Sequence, residues 1–268
     1  MNVKAKLKTV YAKAAYKVVT SLPQRRSMLP SDEMFLDADR VDGSHSTSEF
    51  IAVGDTTVQW LIDYEGLKPS HRFLDVGCGI GRMARPLMQY LEKGKYNGFD
   101  ITKDKVAYCR RTIGRKRPDF VFHHADVFNK YYNPRGKLKA ADYRFPLNDA
   151  TVDYVLLVSV FTHMLPEDME HYLSEITRVL SPGGKCVISY WLADAKKGPP
   201  FHDWSESCEI LNPAEPEHGV IYLENFVIGL YAKYGLHIQT LLRGSDRKRV
   251  DSNPGSRQDI VIAVKPGH

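Results

Sequence analysis

The stretch Phe73-Leu74-Asp75-Val76-Gly77-Cys78-Gly79-Ile80-Gly81-Arg82 decides the fold, because an apolar run passes into closely spaced glycines and then into a helical pattern. Glycine has no Cβ, so backbone and ligand can approach each other closely at such a turn. The helix that follows directs its first amides into the same space. This stretch predicts a strand, a ligand-binding turn and a helix that begins near Arg82.

Apolar runs and helical stretches continue to alternate after this turn. Strands are predicted at 96–100, 120–122, 152–159 and 186–190, with helices at 103–113 and 166–180. Such alternation predicts right-handed βαβ units and a parallel sheet. A helix over 222–234 is followed by two strands, 237–242 and 259–264, which only a polar loop connects. Without a helical crossover, these last strands are expected to form an antiparallel hairpin.

The charge distribution separates a basic arm from a nearly neutral body. Residues 1–30 hold seven lysines and arginines and no acid, so the other 238 residues of this +5 chain carry a net charge of −2. A general nucleic-acid-binding protein would carry its basic face on the folded domain, so no nucleic-acid partner is expected. No apolar run reaches ~18 residues, which argues against a membrane span. The four cysteines lack zinc-like spacing, which favours a reduced, cytoplasmic location and no metal.

Residues 3–19 show the spacing of an amphipathic helix, with Lys6, Lys13 and Lys17 on its polar face. Two interpretations remain for this arm. It packs on the body with solvated lysines, or residues 1–26 contact an anionic membrane surface. Lysines in place of arginines argue against a transit peptide, and they also interrupt any secretory apolar region.

Two carboxylates indicate the kind of ligand. The spacing is G-x-G-x-G, and Asp75 precedes the first glycine by two residues. A pyrophosphate would meet this anion at close range, so the turn favours a positively charged nucleoside over the dinucleotide of a dehydrogenase. Asp100 ends the next predicted strand and can bind both hydroxyls of a ribose. After the third strand, Asp126 can accept a hydrogen bond from an adenine amino group, and the amide of Val127 can meet a ring nitrogen.

These segments resemble the class I S-adenosylmethionine-dependent methyltransferases, in the type 11/25-like group. The resemblance rests on Leu74–Arg82, Gly98–Ile101, Ala125-Asp126, Phe145–Leu147 with Val152–Val155, and Arg178–Gly184, in the order of the family. It implies an α/β, Rossmann-like, doubly wound sheet of seven strands in three αβα layers, mostly parallel with an antiparallel last strand. It implies S-adenosylmethionine as cofactor. It also implies cofactor contacts from Asp75, Gly77, Cys78, Gly79, Gly81, Arg82, Asp100, Ile101, Asp126, Val127 and Ser159, with Cys78 as a small filler.

The expected reaction is direct methyl transfer to a hydroxyl of a small molecule or glycan precursor. His163 follows the central strand and is the candidate base, although a structural role for this histidine is an alternative. Residues 1–50 are predicted to form a basic helical arm and cap. Residues 51–268 are predicted to form the methyltransferase domain, with insertions at 127–144 and 192–221.

Both insertions are expected to build the acceptor pocket, because loops this long at strand ends are often functional. Candidate acceptor contacts within them are Tyr131, Tyr132, Arg135 and Trp204. Two alternatives stay open. The acceptor is a lipid or membrane-bound molecule, or the chain binds the cofactor without turnover.

Overall fold

The computed structural model describes residues 29–30, 46–193, 207–244 and 258–267. The predicted arm at 3–19 lies outside these ranges. The helices within them are α1 Thr47–Glu65, α2 Ala84–Tyr90, α3 Lys103–Cys109, α4 Pro166–Val179 and α5 Glu224–Lys233. The strands are β1 Arg72–Val76, β2 Lys95–Asp100, β3 Phe120–His124, β4 Val152–Leu157, β5 Leu180–Tyr190, β6 Leu192–Ala193, β7 Cys208–Ile210, β8 Val220–Leu223, β9 His237–Leu242 and β10 Asp259–Val264.

A seven-stranded sheet in the order β3-β2-β1-β4-β5-β10-β9 forms the centre of the molecule. β10 runs antiparallel to both of its neighbours, and the pairs from β3 to β5 are parallel. The predicted class I methyltransferase fold is therefore confirmed, including the terminal hairpin. Because side chains alternate across each strand, the two faces of the sheet bury separate apolar clusters. One cluster packs on α1, α2 and α3, and the other on α4 and α5.

An aromatic stack crosses four strands on the face that packs on α1, α2 and α3. It runs from Tyr154 on β4 through Phe73 on β1 and Tyr96 on β2 to Phe120 on β3. Ring centroids are 5.5, 6.1 and 4.9 Å apart, and adjacent planes differ by no more than 8°. Such cross-strand aromatic pairs stabilise a sheet beyond the area they bury. The stack therefore stabilises the amino-terminal halves of the strands whose carboxyl ends surround the glycine turn.

Helix α1 is not predicted from the sequence. Its signal was present: Ser46 and Glu49 have the spacing of a capping box, and the Ser46 side chain accepts a hydrogen bond from the Glu49 amide at 3.2 Å. A Cβ at Gly54 would lie 2.4 Å from the Arg82 carbonyl oxygen, so a glycine is required where α1 crosses the end of the glycine turn. The helix runs across the predicted boundary between residues 50 and 51, and the arm before it stays a prediction.

The second insertion contributes a small sheet that is also not predicted. Strands β6, β8 and β7 pair in that order, so the helix expected from residue 222 begins only at Glu224, after β8. Gly235 closes this helix in the left-handed region, at φ 69°. No helix among the residues described is both long and apolar enough to cross a membrane.

Candidate active site

A cavity of about 350 Å³ opens at the carboxyl ends of β1, β2 and β4. This volume is within the range of about 300–1,000 Å³ for small-molecule sites, and the location is the usual one for ligands of open α/β sheets. Nine of the twelve site residues expected from the sequence line this cavity: Asp75, Gly77, Cys78, Arg82, Asp100, Ile101, Val127, Ser159 and His163.

The glycine turn is fixed by the end of β2. The amides of Gly77 and Cys78 both donate to the Phe99 carbonyl, at 2.9 and 3.0 Å. Gly77, Gly79 and Gly81 all have positive φ, at 73°, 53° and 86°. Left-handed φ values are strained for residues with a Cβ, so these three glycines are needed by the backbone itself. Gly79 and Gly81 shape the turn without lining the cavity.

The Asp100 carboxylate contacts the glycine turn, and the residue also lines the cavity. Its Oδ2 accepts a hydrogen bond from the Gly79 amide at 2.9 Å, and its Oδ1 accepts one from the Thr102 amide at 2.7 Å. The residue is 8% exposed and lines the cavity. A carboxylate offers about four acceptor positions, and these two amides use two of them. Asp100 can therefore support the turn and bind a ribose at the same time.

Asp75 supplies a second buried carboxylate, with 4% of its surface exposed. The Tyr96 hydroxyl donates to its Oδ2 at 2.7 Å. Burial, followed by the charge of Asp75, raises the pKa of Tyr96 well above its ordinary value, so this hydroxyl stays protonated. Two buried carboxylates on a cavity whose wall also includes the apolar side chains of Phe99, Ile101 and Val127 suit a ligand that carries both positive charge and sugar hydroxyls.

Of the two residues expected to contact adenine, Asp126 and Val127, only one lines the cavity. Val127 lines the cavity, whereas the side chain of Asp126 is not part of its wall. The Asp126 carbonyl accepts the amides of Lys137 and Leu138, both at 2.9 Å, and so closes the first insertion onto the end of β3. A contact between Asp126 and adenine stays a prediction.

His163 has a defined tautomer. Its Nδ1 lies 3.0 Å from the backbone carbonyl oxygen of Glu217, which can only accept, so Nδ1 must carry the proton. In the neutral ring Nε2 is then the acceptor nitrogen, and the Tyr132 hydroxyl lies 3.4 Å from it. Tyr132 and Glu217 belong to different insertions, and both line the cavity. The two insertions therefore meet at the imidazole and leave its basic nitrogen facing a hydroxyl.

Ser159 marks the end of β4. Its φ of 58° is unusual for a residue with a side chain, and such strain often accompanies functional positions. Its amide donates to the Ser189 hydroxyl at 2.8 Å, and its own hydroxyl donates to Oε1 of Gln258 at 3.1 Å. Ser159 and Gln258 both line the cavity, so these contacts connect its wall to the start of β10.

Sequence reasoning missed several polar residues of the cavity wall: Thr102, Lys105, Asn129, Asp168, Glu217 and Gln258. Burial raises the pKa of Asp168, and the charges of Glu167 and Glu217 raise it further, although the Ala141 amide donates to Asp168 at 3.0 Å. The sequence marked Asp168 only as an acid in the first turn of a helix.

Three of the residues expected to contact the acceptor are not found on the cavity wall. Tyr131 and Arg135 are exposed and are not part of the wall, and Trp204 is outside the described residues.

The cysteine in the turn, Cys78, is a buried free thiol. The neighbouring Cys109 thiol and burial raise the pKa of Cys78 well above its ordinary value, which makes it a poor nucleophile. No group of metal-binding side chains occurs within the described ranges.

Comparison with known proteins agrees with this geometry. Residues 74–188 match a family described as "Methyltransferase domain". One curated relative is the tRNA N(3)-cytidine methyltransferase METTL2 of Gallus gallus, 29% identical over 135 residues, which cover 47% of this chain and 32% of the relative. Another is a fatty-acid O-methyltransferase of Mycolicibacterium smegmatis, 33% identical over 113 residues, covering 42% and 34%. The chain thus spans about a third of the length of the curated relatives it matches.

Solved structures share the fold. A 1,6-didemethyltoxoflavin-N1-methyltransferase of Burkholderia thailandensis, with S-adenosylhomocysteine bound, superposes with a TM-score of 0.55 at 17% identity, over 88% of this chain and 87% of that one. The match over residues 74–188 confirms the predicted methyltransferase domain and supports S-adenosylmethionine as its cofactor, and the solved structure shows the shared fold. Residues 74–188 are therefore a methyltransferase domain of the class I, S-adenosylmethionine-dependent fold.

Proposed function

We propose that this chain transfers a methyl group from S-adenosylmethionine to a hydroxyl of a small molecule or glycan precursor. The observation that carries the proposal is one cavity lined by two buried carboxylates, a glycine turn and a histidine whose Nδ1 is held by a backbone carbonyl. The carboxylates fit the donor, and the histidine fits the removal of a proton from the acceptor.

The proposed cofactor contacts divide the donor into parts. Asp75 and the turn from Gly77 to Arg82 hold the positively charged methionine portion, because opposite charges attract strongly where water is excluded. Asp100 holds the ribose hydroxyls, and Asp126 and Val127 hold the adenine. Ile101 and Ser159 complete the proposed contacts. The bound donor supplies a methyl group on a sulfonium, so the chain must mainly align the acceptor and exclude water.

His163 is the proposed base. The Glu217 carbonyl keeps the proton on Nδ1, so in the neutral ring Nε2 is the nitrogen that would take the proton of an acceptor hydroxyl. The Tyr132 hydroxyl occupies the position at Nε2 that an acceptor hydroxyl would take, which makes it a stand-in for that group. Asn129 donates to the His163 carbonyl at 3.4 Å and helps to hold this turn.

The test is turnover of labelled S-adenosylmethionine with a panel of hydroxylated metabolites and sugar precursors. His163→Gln is expected to lower kcat by about 10²–10⁴-fold, the usual contribution of a general base, while the Kd for S-adenosylhomocysteine stays unchanged. His171→Gln is the matched control, because His171 is a part-buried histidine that contacts the Tyr143 carbonyl away from the cavity. Undiminished kcat in His163→Gln would contradict the role of the base. Tight binding of the cofactor with no turnover of any acceptor would favour the non-catalytic alternative.

A second candidate is an acceptor with a long apolar part, such as a lipid. Phe128, Tyr131 and Leu138 are 46%, 42% and 44% exposed, and Phe128 lines the cavity. The Phe128 amide donates to the Leu138 carbonyl at 2.7 Å, and the Tyr131 ring packs edge-on against Tyr132 at 4.8 Å. These three residues form an apolar rim beside the acceptor end of the cavity, and an acceptor chain lying on the rim would explain why it is exposed.

A homologous series of n-alkyl alcohols distinguishes the two candidates. A lipid-like acceptor predicts that binding to the protein saturated with S-adenosylhomocysteine tightens about fourfold per added CH₂. The double substitution Phe128→Ser and Leu138→Ser should remove this trend, whereas Ile228→Ser, at an equally exposed apolar position on α5, should not. Affinity independent of chain length would remove the lipid candidate.

Partner and location are also parts of the proposal. An acceptor other than nucleic acid is proposed although a tRNA methyltransferase is among the relatives, and unfractionated tRNA in the acceptor panel tests this. A membrane role for residues 1–26 predicts that the full chain, but not one lacking them, floats with anionic liposomes. The four cysteines are buried thiols and not disulfides, which supports the proposed cytoplasmic location.

A further inference from the structure

We propose that Tyr96 is a positioning residue for the cofactor, whose hydroxyl fixes the Asp75 carboxylate that faces the positively charged methionine portion. This inference rests on the proposed function, which gives Asp75 its role. The hydroxyl donates to Oδ2 of Asp75 at 2.7 Å, and both residues are buried, with 0% and 4% of their surfaces exposed. Tyr96 does not line the cavity, so it would act through Asp75.

The ring of Tyr96 has little freedom to move. It is stacked between Phe73, at 6.1 Å, and Phe120, at 4.9 Å, with both pairs of planes within 8° of parallel. Phe122 packs against the same ring at 5.4 Å. Because three aromatic neighbours hold the ring, the position of the hydroxyl is set by the core of the sheet. The hydrogen bond therefore transmits the rigidity of the core to the carboxylate.

Gly98 provides the space for this contact. It stands opposite Asp75 in the pairing of β1 with β2. A Cβ at residue 98 would lie 2.8 Å from the Tyr96 hydroxyl oxygen and 2.9 Å from the Cβ of Cys78. Such distances are too short for unbonded atoms, so any side chain here would displace the hydroxyl or the glycine turn. The glycine of this strand is thus explained by the tyrosine two residues before it.

The hydrogen bond from Tyr96 to Asp75 should affect the binding of only one part of the ligand. A carboxylate held in one orientation binds a cationic group without paying to order itself, which is the benefit of preorganisation. The adenosine part is served by other residues, Asp100 and Val127 among them. Loss of the Tyr96 hydroxyl should therefore weaken ligands that carry the amino-acid portion, with its ammonium, and leave adenosine alone unaffected.

The test measures the Kd of S-adenosylhomocysteine and of adenosine for Tyr96→Phe by calorimetry. Because Tyr96 acts on the ligand through Asp75, only part of the free energy of this hydrogen bond to a charged group reaches the ligand. S-adenosylhomocysteine is therefore expected to bind about 5- to 30-fold more weakly, while adenosine changes less than twofold. Tyr154→Phe is the matched control. Tyr154 is buried in the same stack, and its hydroxyl has no hydrogen-bond partner within the described part of the chain. This control should change neither Kd.

Each outcome decides a different point. An unchanged Kd for S-adenosylhomocysteine in Tyr96→Phe, or equal weakening of both ligands, would overturn the positioning role. Should Tyr96→Phe fail to fold, the ratio of the two Kd values for Gly98→Ala decides, because its Cβ displaces the same hydroxyl. Failure of the wild-type protein to bind S-adenosylhomocysteine would instead refute the proposed function itself.

Discussion

Replacement of Asp100 separates a ligand contact from a structural one. In Asp100→Ala the proposed ribose hydroxyls lose a charged acceptor, which is worth ~1.5–3 kcal/mol. The Kd of S-adenosylhomocysteine should therefore rise about 10- to 150-fold. Asp100→Asn keeps one acceptor oxygen and removes the charge, so its effect on the Kd should lie between those of wild type and alanine.

The same substitution also affects stability. The amides of Gly79 and Thr102 both lose their acceptor in Asp100→Ala. An unsatisfied buried amide costs ~1–3 kcal/mol, so the melting temperature should fall by at least about 2–4 °C. Binding must therefore be measured by calorimetry well below the melting temperature of every variant. Asp104→Ala is the control, since this exposed aspartate in the first turn of α3 carries the same charge without either contact.

The two roles give different results. If Asp100 only supports the glycine turn, the melting temperature falls and the Kd of the folded protein stays within twofold of wild type. That result would refute the ribose contact. If Asp100 does both, the Kd and the melting temperature change together in alanine and to a smaller degree in asparagine.

Other predictions concern stability. Gly81→Ala places a Cβ at φ 86°, 2.7 Å from Cδ1 of Ile113, and should lower the melting temperature by several degrees, since the left-handed region alone costs ~1–2 kcal/mol. Gly66→Ala has a similar φ, 71°, and open space around its Cβ, so calorimetry should show the smaller loss there; equal losses would contradict the crowding. Burial raises the pKa of Asp153, but hydrogen bonds from Arg72 outweigh this and lower it below its ordinary value. Asp153→Asn should therefore destabilise most at neutral pH, and the difference in unfolding free energy should vanish as pH falls through and below the ordinary aspartate range; a pH-independent difference in urea titrations would argue against the pair.

Much of the fold is predictable because its signals are local. The run from Phe73 to Arg82 encodes a strand, a turn and a helix in consecutive residues, and a polar loop without a helix encodes the terminal hairpin. Helix α1 was missed although Ser46 and Glu49 marked its start. The small sheet of the second insertion was missed for another reason: its strands have two to four residues, too few for a periodic pattern.

The candidate site also has parts that the sequence predicts and parts that it does not. Asp75 and Asp100 lie at the carboxyl ends of adjacent strands, so topology alone predicts that both line the same cavity. Glu217 lies 54 residues from His163 and contacts it through a backbone carbonyl, which no side-chain pattern reveals. Tyr96 and Asp75 are 21 residues apart, and their contact depends on the pairing of strands β1 and β2. Such contacts follow from tertiary packing, which a single sequence does not specify.

The binding of S-adenosylmethionine and S-adenosylhomocysteine to the full-length, folded chain tests the central claim most directly. Titration calorimetry should show saturable binding of both at one site per chain, with no heat for NAD. Absence of heat for both adenosyl compounds, or thermal stabilisation by NAD alone, would contradict the account.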